Sequence, residues 1–399
     1  MPSSGRRTVY ALSEKDGVRR YRPLGPTTYL LRNMGKTAPL VAVILLAVML
    51  IMGIVSMINS IPLSIRTIYS YSQYSLGVTP RGDPSMTARI IDEIKKKCPY
   101  PYEKLIVCRA SGAQVRSIVG KWPFVVLGMH RSDMEYFLRR LRVSSITGRL
   151  PEKGKPEAII SDPVARNLGL KLGSTLLSPE VQEAYSPKHV KVVGIAHTSE
   201  WLMFNDFDYQ AQNHFPPLDN VLVFASTLQD QDKIDHWAVK EFKGERAQVF
   251  VYYLLEKQTE DMFSILYKIL DVVIGTLALV ITFMMGMLMN IYQSQRLVEF
   301  GLLQAIGYTK KQILRRVFAE TALVLSFGWA LGVVTATALL HIVKAILMDP
   351  HAFALETTDW VAFRYTIPVP IAIALVATFT VVARFRKFDP VGVVERRLV

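Results

Sequence analysis

The chain has 399 residues, 50% of them hydrophobic, and a formal net charge of +14. It is too apolar for an ordinary soluble protein and long enough for a membrane module plus one sizeable aqueous domain. The cationic excess sits mainly in the two terminal segments and one short stretch between apolar runs, without any nucleic-acid-reading motif, so it signals topology and not a nucleic-acid partner.

Residues 1–37 are polar and basic, with Arg6, Arg7, Lys15, Arg19, Arg20, Arg22, Arg32 and Lys36 against Glu14 and Asp16. Such a segment stays in the cytoplasm. Its last part is expected to form a short interfacial helix, with Leu30 and Leu31 toward lipid and Arg32 snorkelling. The uncharged run 38–58 is near the ~20 residues that cross a bilayer as helix, and without a small-residue cleavage site it remains as an anchor.

Residues 59–262 have ordinary globular composition and must lie on the opposite side from the N terminus. Helical spacing covers 86–97 and 132–142, whereas 104–110, 124–129, 157–162, 189–197 and 220–226 are short β-branched runs bounded by turn residues, which predicts an α+β domain. The cysteines, Cys98 and Cys108, lie close together in it. Outside the cytoplasm they form either a disulfide or two buried free thiols, and spacing leaves both open. In 198–220 Trp201, Phe204 and Phe207 are interleaved with Asp206 and Asp208. This stretch is either local core under a long loop or a hydrophobic lip that touches lipid, substrate or a partner.

The second span, 263–292, belongs to one continuous helix that begins near Glu256, with Lys268 and Asp271 snorkelling at its outer end. Residues 293–316 form a basic elbow in which Arg296, Lys310, Lys311, Arg315 and Arg316 outweigh Glu299 and the nearby Glu320, so it faces the cytoplasm. Gly307 can end a helix in the left-handed conformation, and Thr309 with Gln312 has capping-box spacing to start the next. Leu297, Phe300 and Leu303 recur at near-helical spacing before that turn. The third span, 317–347, carries Gly328 and Gly332 at small-xxx-small spacing, which serves a dimer face or a contact inside the subunit. An external loop, 348–366, a fourth span, 367–383, and a cationic cytoplasmic tail, 384–399, complete the chain.

Enzyme constellations are missing from the sequence. The stretch 169–175, GLKLGST, lacks the lysine of a phosphate loop. The seven histidines have no partners at metal-ligand spacing, and neither a serine elbow nor a reactive cysteine motif occurs. No catalytic residue, metal site or cofactor is therefore expected on this chain.

Arg296, Glu299, Gly301, Leu302, the run Ala305-Ile306-Gly307, Ile313, Glu320, Gly328, Gly332 and a basic tail around Pro390 together resemble the C-terminal domain of FtsX-like permeases, the membrane subunits of MacB-type ABC transporters. Gly148-Arg149, Pro151, Glu157 to Ile160, Ala165, Leu168-Gly169, Gly173 and Val192 to Ile195 similarly resemble the extracytoplasmic domain of MacB-like permeases. Residues 86–134 and 200–261 fall outside the resemblance.

The resemblance implies a membrane α-helical fold of four transmembrane helices with an inserted α+β extracytoplasmic domain, in the inner (plasma) membrane with both termini cytoplasmic. It makes the elbow a coupling helix, with Arg296, Glu299, Phe300, Leu302, Leu303 and Gly307 docking on a separate ABC-type ATPase that carries the ATP and Mg. A second permease copy or a paralogue, membrane lipid, and a periplasmic adaptor or an extracytoplasmic protein would be the other partners. The implied function is ATP-driven motion of the outer domain for export or extraction of a substrate; alternatively, the same stroke would regulate an extracytoplasmic protein such as a cell-wall hydrolase.

Overall fold

A computed structural model describes residues 26–386. The expectations for residues 1–25, and for the tail from residue 387 with Pro390, lie outside the described residues.

Helix α1 (Pro26–Arg32) leads into α2 (Met34–Ile68), and a single 3₁₀ turn connects α2 to strand β1 (Leu76–Pro80). There follow α3 (Met86–Lys97), β2 (Lys104–Ser117), β3 (Gly120–Met129), α4 (Arg131–Arg140), β4 (Ile146–Gly148), β5 (Glu157–Ser161), α5 (Asp162–Leu168) and β6 (Thr175–Leu177). Then come β7 (Val190–Ala196), β8 (Met203–Asp206), α6 (Phe207–Gln212), β9 (Asp219–Phe224), α7 (Leu228–Glu241) and β10 (Ala247–Phe250). The rest is helical: α8 (Tyr252–Ser294), α9 (Leu297–Ala305), α10 (Lys310–Val343), α11 (Trp360–Thr366) and α12 (Pro368–Arg386). Among the described residues, four helical stretches are long and apolar enough to cross a membrane: Met34–Ile68, Tyr252–Ser294, Lys310–His351 and Trp360–Ala383.

The structure divides into two units. One holds Met49–Leu277 and Val333–Thr366; the other holds the described residues up to Val48, Ala278–Gly332, and those from Ile367 onward. The division falls inside the long helices, parts of which belong to the sheet unit. Arg66 of α2 pairs with Glu256 at 3.2 Å and Glu260 at 2.8 Å on α8. Asn167 of α5 donates to the His351 carbonyl at 2.8 Å.

All ten strands form one mixed sheet in the order β10-β1-β9-β2-β3-β8-β5-β7-β4, with β6 beside β7. The pairs β3/β8 and β5/β7 are parallel, and the other pairs are antiparallel. Period-2 alternation decides which side chains face inward: on β7, Val190, Val192 and Ala196 are fully buried while Lys191 is exposed. Leu76, Val78, Val221 and Val223 pack with Ile90 and Ile94 of α3 and Ile234 and Ala238 of α7. Farther along the sheet, Ile106, Cys108, Leu127 and Phe204 pack with Phe137 and Leu138 of α4. The family-like stretch folds as its residues predict: β5 ends where α5 begins, Gly169 closes α5 at φ +71°, and Gly173 turns at φ +84° before β7.

Two expectations for this unit need correction or a decision. The aromatic stretch is not a lip. Trp201 and Phe204 are 2% and 1% exposed, and β8 pairs in parallel with β3 and antiparallel with β5 in the middle of the sheet. Phe207 is half-buried, with the Arg109 guanidinium 5.3 Å from its ring. The acids that made the stretch look like an exposed loop do local work: Asp206 caps α6 by accepting from Tyr209 N at 3.2 Å and also accepts from Gly154 N at 2.7 Å. The two cysteines are free thiols. Cys108 is buried within β2, where desolvation pushes its pKa up to about 12, and Cys98 lies at the end of α3 with Sγ donating to the Tyr100 carbonyl at 3.4 Å.

Candidate functional site

The elbow is built by two helix stops in quick succession. α8 ends at Ser294, and the Phe300 amide donates back to the Arg296 carbonyl at 3.1 Å to open α9. α9 closes in a Schellman turn: Tyr308 N donates to Leu303 O at 3.0 Å and Gly307 N to Gln304 O at 2.9 Å, with Gly307 at φ +103°. The next residues form a reciprocal capping box, Thr309 N to Gln312 Oε1 at 2.9 Å and Gln312 N to Thr309 Oγ1 at 3.3 Å. A nine-residue helix is thereby fixed between two long apolar ones.

One face of α9 is welded down. Phe300, Ile313, Val317 and Val381 form its core, with Leu297, Leu303 and Leu314 packed against it. Arg296 is 2% exposed and donates to Glu320 at 2.5 Å and to Glu299 at 3.3 Å. Its guanidinium lies 5.3 Å from the Tyr292 ring and 5.2 Å from the Phe300 ring. Glu320, also 2% exposed, accepts a second cation through Arg316 Nε at 3.0 Å. The opposite face is free and apolar: Leu302 is 54% exposed and Ile306 75%.

This geometry splits the residues expected to touch a partner. Glu299, Leu302 and Gly307 lie at the surface; Arg296 and Phe300 are internal and Leu303 half-internal, packed against the rest of the elbow. Ile306 and Tyr308 are also exposed beside them, and the sequence pattern had not singled them out as coupling residues. Glu320 carried a legible signal as the hub: a carboxylate inside an apolar run, four residues after Arg316, demands a partner.

Gly328 and Gly332 make a contact inside the chain. A Cβ on Gly328 would stand 3.0 Å from Ile44 Cβ, and one on Gly332 2.8 Å from Val48 Cβ, so these glycines let α10 and α2 close up. In the sheet unit, His197 links Asp162, at 3.0 Å from Nδ1, with Thr147, at 2.7 Å from Nε2. These groups are partly exposed, and they tie edge strand β4 to the start of α5. Among the described residues no group of three or more His, Cys, Asp or Glu side chains could hold a metal ion.

Residues 272–390 match the family model of the FtsX-like permease C-terminal domain. The matched segment contains α9, the Gly307 turn and both packing glycines. Among solved structures the chain is similar to the periplasmic region of MacB from Actinobacillus actinomycetemcomitans, with 9% identity over 47% of this chain and 92% of that one and a TM-score of 0.28. It is also similar to the extracellular domain of the noncanonic ABC-type transporter YknZ from Gram-positive bacteria, with 14% identity over 44% of this chain and 99% of that one and a TM-score of 0.25. Among curated proteins none matches the chain.

Proposed function

We propose that this chain is the permease subunit of an ABC-type transporter, and that α9 is the helix through which a separate ATPase drives it. The carrying observation is the two-faced α9: one side fixed by a buried ion cluster and a small core, the other offering Leu302 and Ile306 to water. An exposed apolar strip on a rigid short helix is what a groove on a partner protein binds. The FtsX-like domain match over the same segment supports this reading.

On this reading the four apolar helices cross the plasma membrane, and the cations Lys310, Lys311, Arg315 and Arg316 hold the elbow in the cytoplasm together with both termini. The sheet unit lies outside. ATP and Mg are bound by the partner, and two permease copies, or this chain and a paralogue, face two ATPases. The stroke pushes α9, and because α8 and α2 run as unbroken helices of 43 and 35 residues into the sheet unit, they pass the motion outward. Export or extraction of a substrate from the outer side is the work this serves.

The test is to replace Leu302 and Ile306 with Glu in the full-length chain and co-express it with the ATPase. Loss of ATPase co-purification with an unchanged melting profile is expected. Undiminished co-purification would overturn the docking assignment.

A further inference from the structure

Strand β1 has two unlike sides. Leu76 and Val78 point into the core beneath α3 and α7 and are fully buried. By the period of two, Gly77 and Thr79 point to the other face, where Ala110 of β2 is also small. Tyr69, Tyr71 and Phe124 also line the space, and Phe250 of β10 flanks Gly77 as its register partner. Large rings beside these small floor residues leave a half-open cavity of about 320 Å³. This volume reaches the lower end of the range, about 300–1,000 Å³, seen for small-molecule pockets.

The lining says what would fill it. No Asp, Glu, Lys, Arg or His contributes to it. Two of its polar groups are already engaged, since Tyr69 OH donates to the Pro123 carbonyl at 2.7 Å and Ser72 Oγ to the Tyr69 carbonyl at 2.7 Å. Asn220 differs: it is 9% exposed, lines the cavity, and its Oδ1 has no hydrogen-bond partner. A buried acceptor left unpaired is costly, and a donor on a ligand would remove that cost. Burial also raises the Tyr71 phenol well above its ordinary pKa, as an apolar surrounding requires.

We propose that this cavity binds the hydrocarbon chain of an uncharged amphiphile whose hydroxyl donates to Asn220 Oδ1 once a turn of that side chain brings the buried oxygen to the cavity wall. At roughly 30 Å³ per water-sized group, the space suits a chain of about ten carbons. The site adjoins the ends of both long helices, because Tyr69 directly follows α2 and Leu255 lies in the first turn of α8. Only the origin of the ligand, the outer surface of the membrane, rests on the functional reading above. If α2 and α8 carry a stroke, the same movement reshapes this cavity.

The test uses the full-length chain in lipid nanodiscs, without ATPase, and decanol bearing a diazirine, with labelled peptides mapped by mass spectrometry. Label is expected on peptides containing residues 69–79 and 123–127, and unlabelled decanol should displace it better than decane. Filling the floor by Ala110→Leu, or separately by Thr79→Leu should that chain fail to fold, is expected to cut this label about tenfold while raising the melting temperature. Asn220→Leu should keep the label but abolish the preference for decanol over decane. Label confined to the apolar helices, undiminished label in a folded filled variant, or equal competition by decane in the unaltered chain would overturn the proposal. Loss of ATPase docking would leave all of these results unchanged, so the two readings fail separately.

Discussion

The elbow and the sheet unit each bury a carboxylate, and they treat it in opposite ways. Glu320, 2% exposed, is held between two guanidiniums, Arg296 at 2.5 Å and Arg316 at 3.0 Å. Asp235 on α7, 5% exposed, accepts at 2.8 Å from the neutral amide of Gln231. The difference is one of purpose. An ion cluster that Glu299, the second acceptor of Arg296, brings to net zero charge gives three helix segments one fixed arrangement, whereas a lone acid beside an amide keeps the sheet unit sensitive to its proton. Under the proposed function, a helix that receives a push benefits from the first design.

The largest effect is expected from breaking the cluster. Glu320→Ala strands the Arg296 cation inside the elbow and should destabilise the full-length chain by about 3–5 kcal/mol, measured by thermal unfolding in detergent. Replacing both partners, Arg296→Met with Glu320→Leu, should recover most of that loss, since apolar residues of similar volume often match a buried pair. A double variant as unstable as the single one would show that the pair is not what joins α8, α9 and α10.

A smaller contrast concerns glycines. Gly332 sits where a Cβ would meet Val48 Cβ at 2.8 Å, so Gly332→Ala should cost about 1–3 kcal/mol by overpacking. Gly112 in β2 has open space around its Cβ and no left-handed φ. Gly112→Ala should therefore stabilise by about 0.4–1 kcal/mol through the unfolded chain. Melting temperatures of the two variants moving in the same direction would refute this division.

How much of this was legible in sequence follows from the range of the interactions. The turns that bound the elbow depend on contacts between residues within about one helix turn, so Gly307, Thr309 with Gln312, and the apolar spacing of Leu297, Phe300 and Leu303 revealed it. The four apolar helices were equally plain from run length. What stayed hidden was long-range. The pairing of β8 between β3 and β5 joins segments far apart in the chain, so Trp201, Phe204 and Phe207 looked like a loop interrupted by acids until the sheet gave them neighbours. Asp206 was misleading because a capping acid and a solvent-facing acid look alike in one dimension. Nor could spacing show which way Arg296 points: a cation in a basic elbow reads as surface until Glu320, 24 residues later, is seen to hold it.

Asp235 gives the smallest and most diagnostic measurement. Desolvation raises its folded pKa from 3.8 to about 7, while the amide of Gln231 pulls the other way. The folded chain therefore holds a proton that the unfolded chain releases between about pH 4 and 7. The sign follows: this group leaves stability intact below pH ~4, removes it progressively as pH rises toward 7, and has no further effect above that. Asp232 and His236 lie near this carboxyl, the acid raising and the histidine lowering its pKa, and neither outweighs burial. Asp235→Asn preserves an acceptor for Gln231 and takes away the ionisation, so it should raise stability at pH 8 by on the order of 1 kcal/mol or more and change little at pH 4. Melting temperatures of both chains across that range decide it: parallel curves would mean that Asp235 is hydrated in solution, and converging curves toward acid would mean that the sheet unit hides a real, uncompensated charge where the elbow hides a paired one.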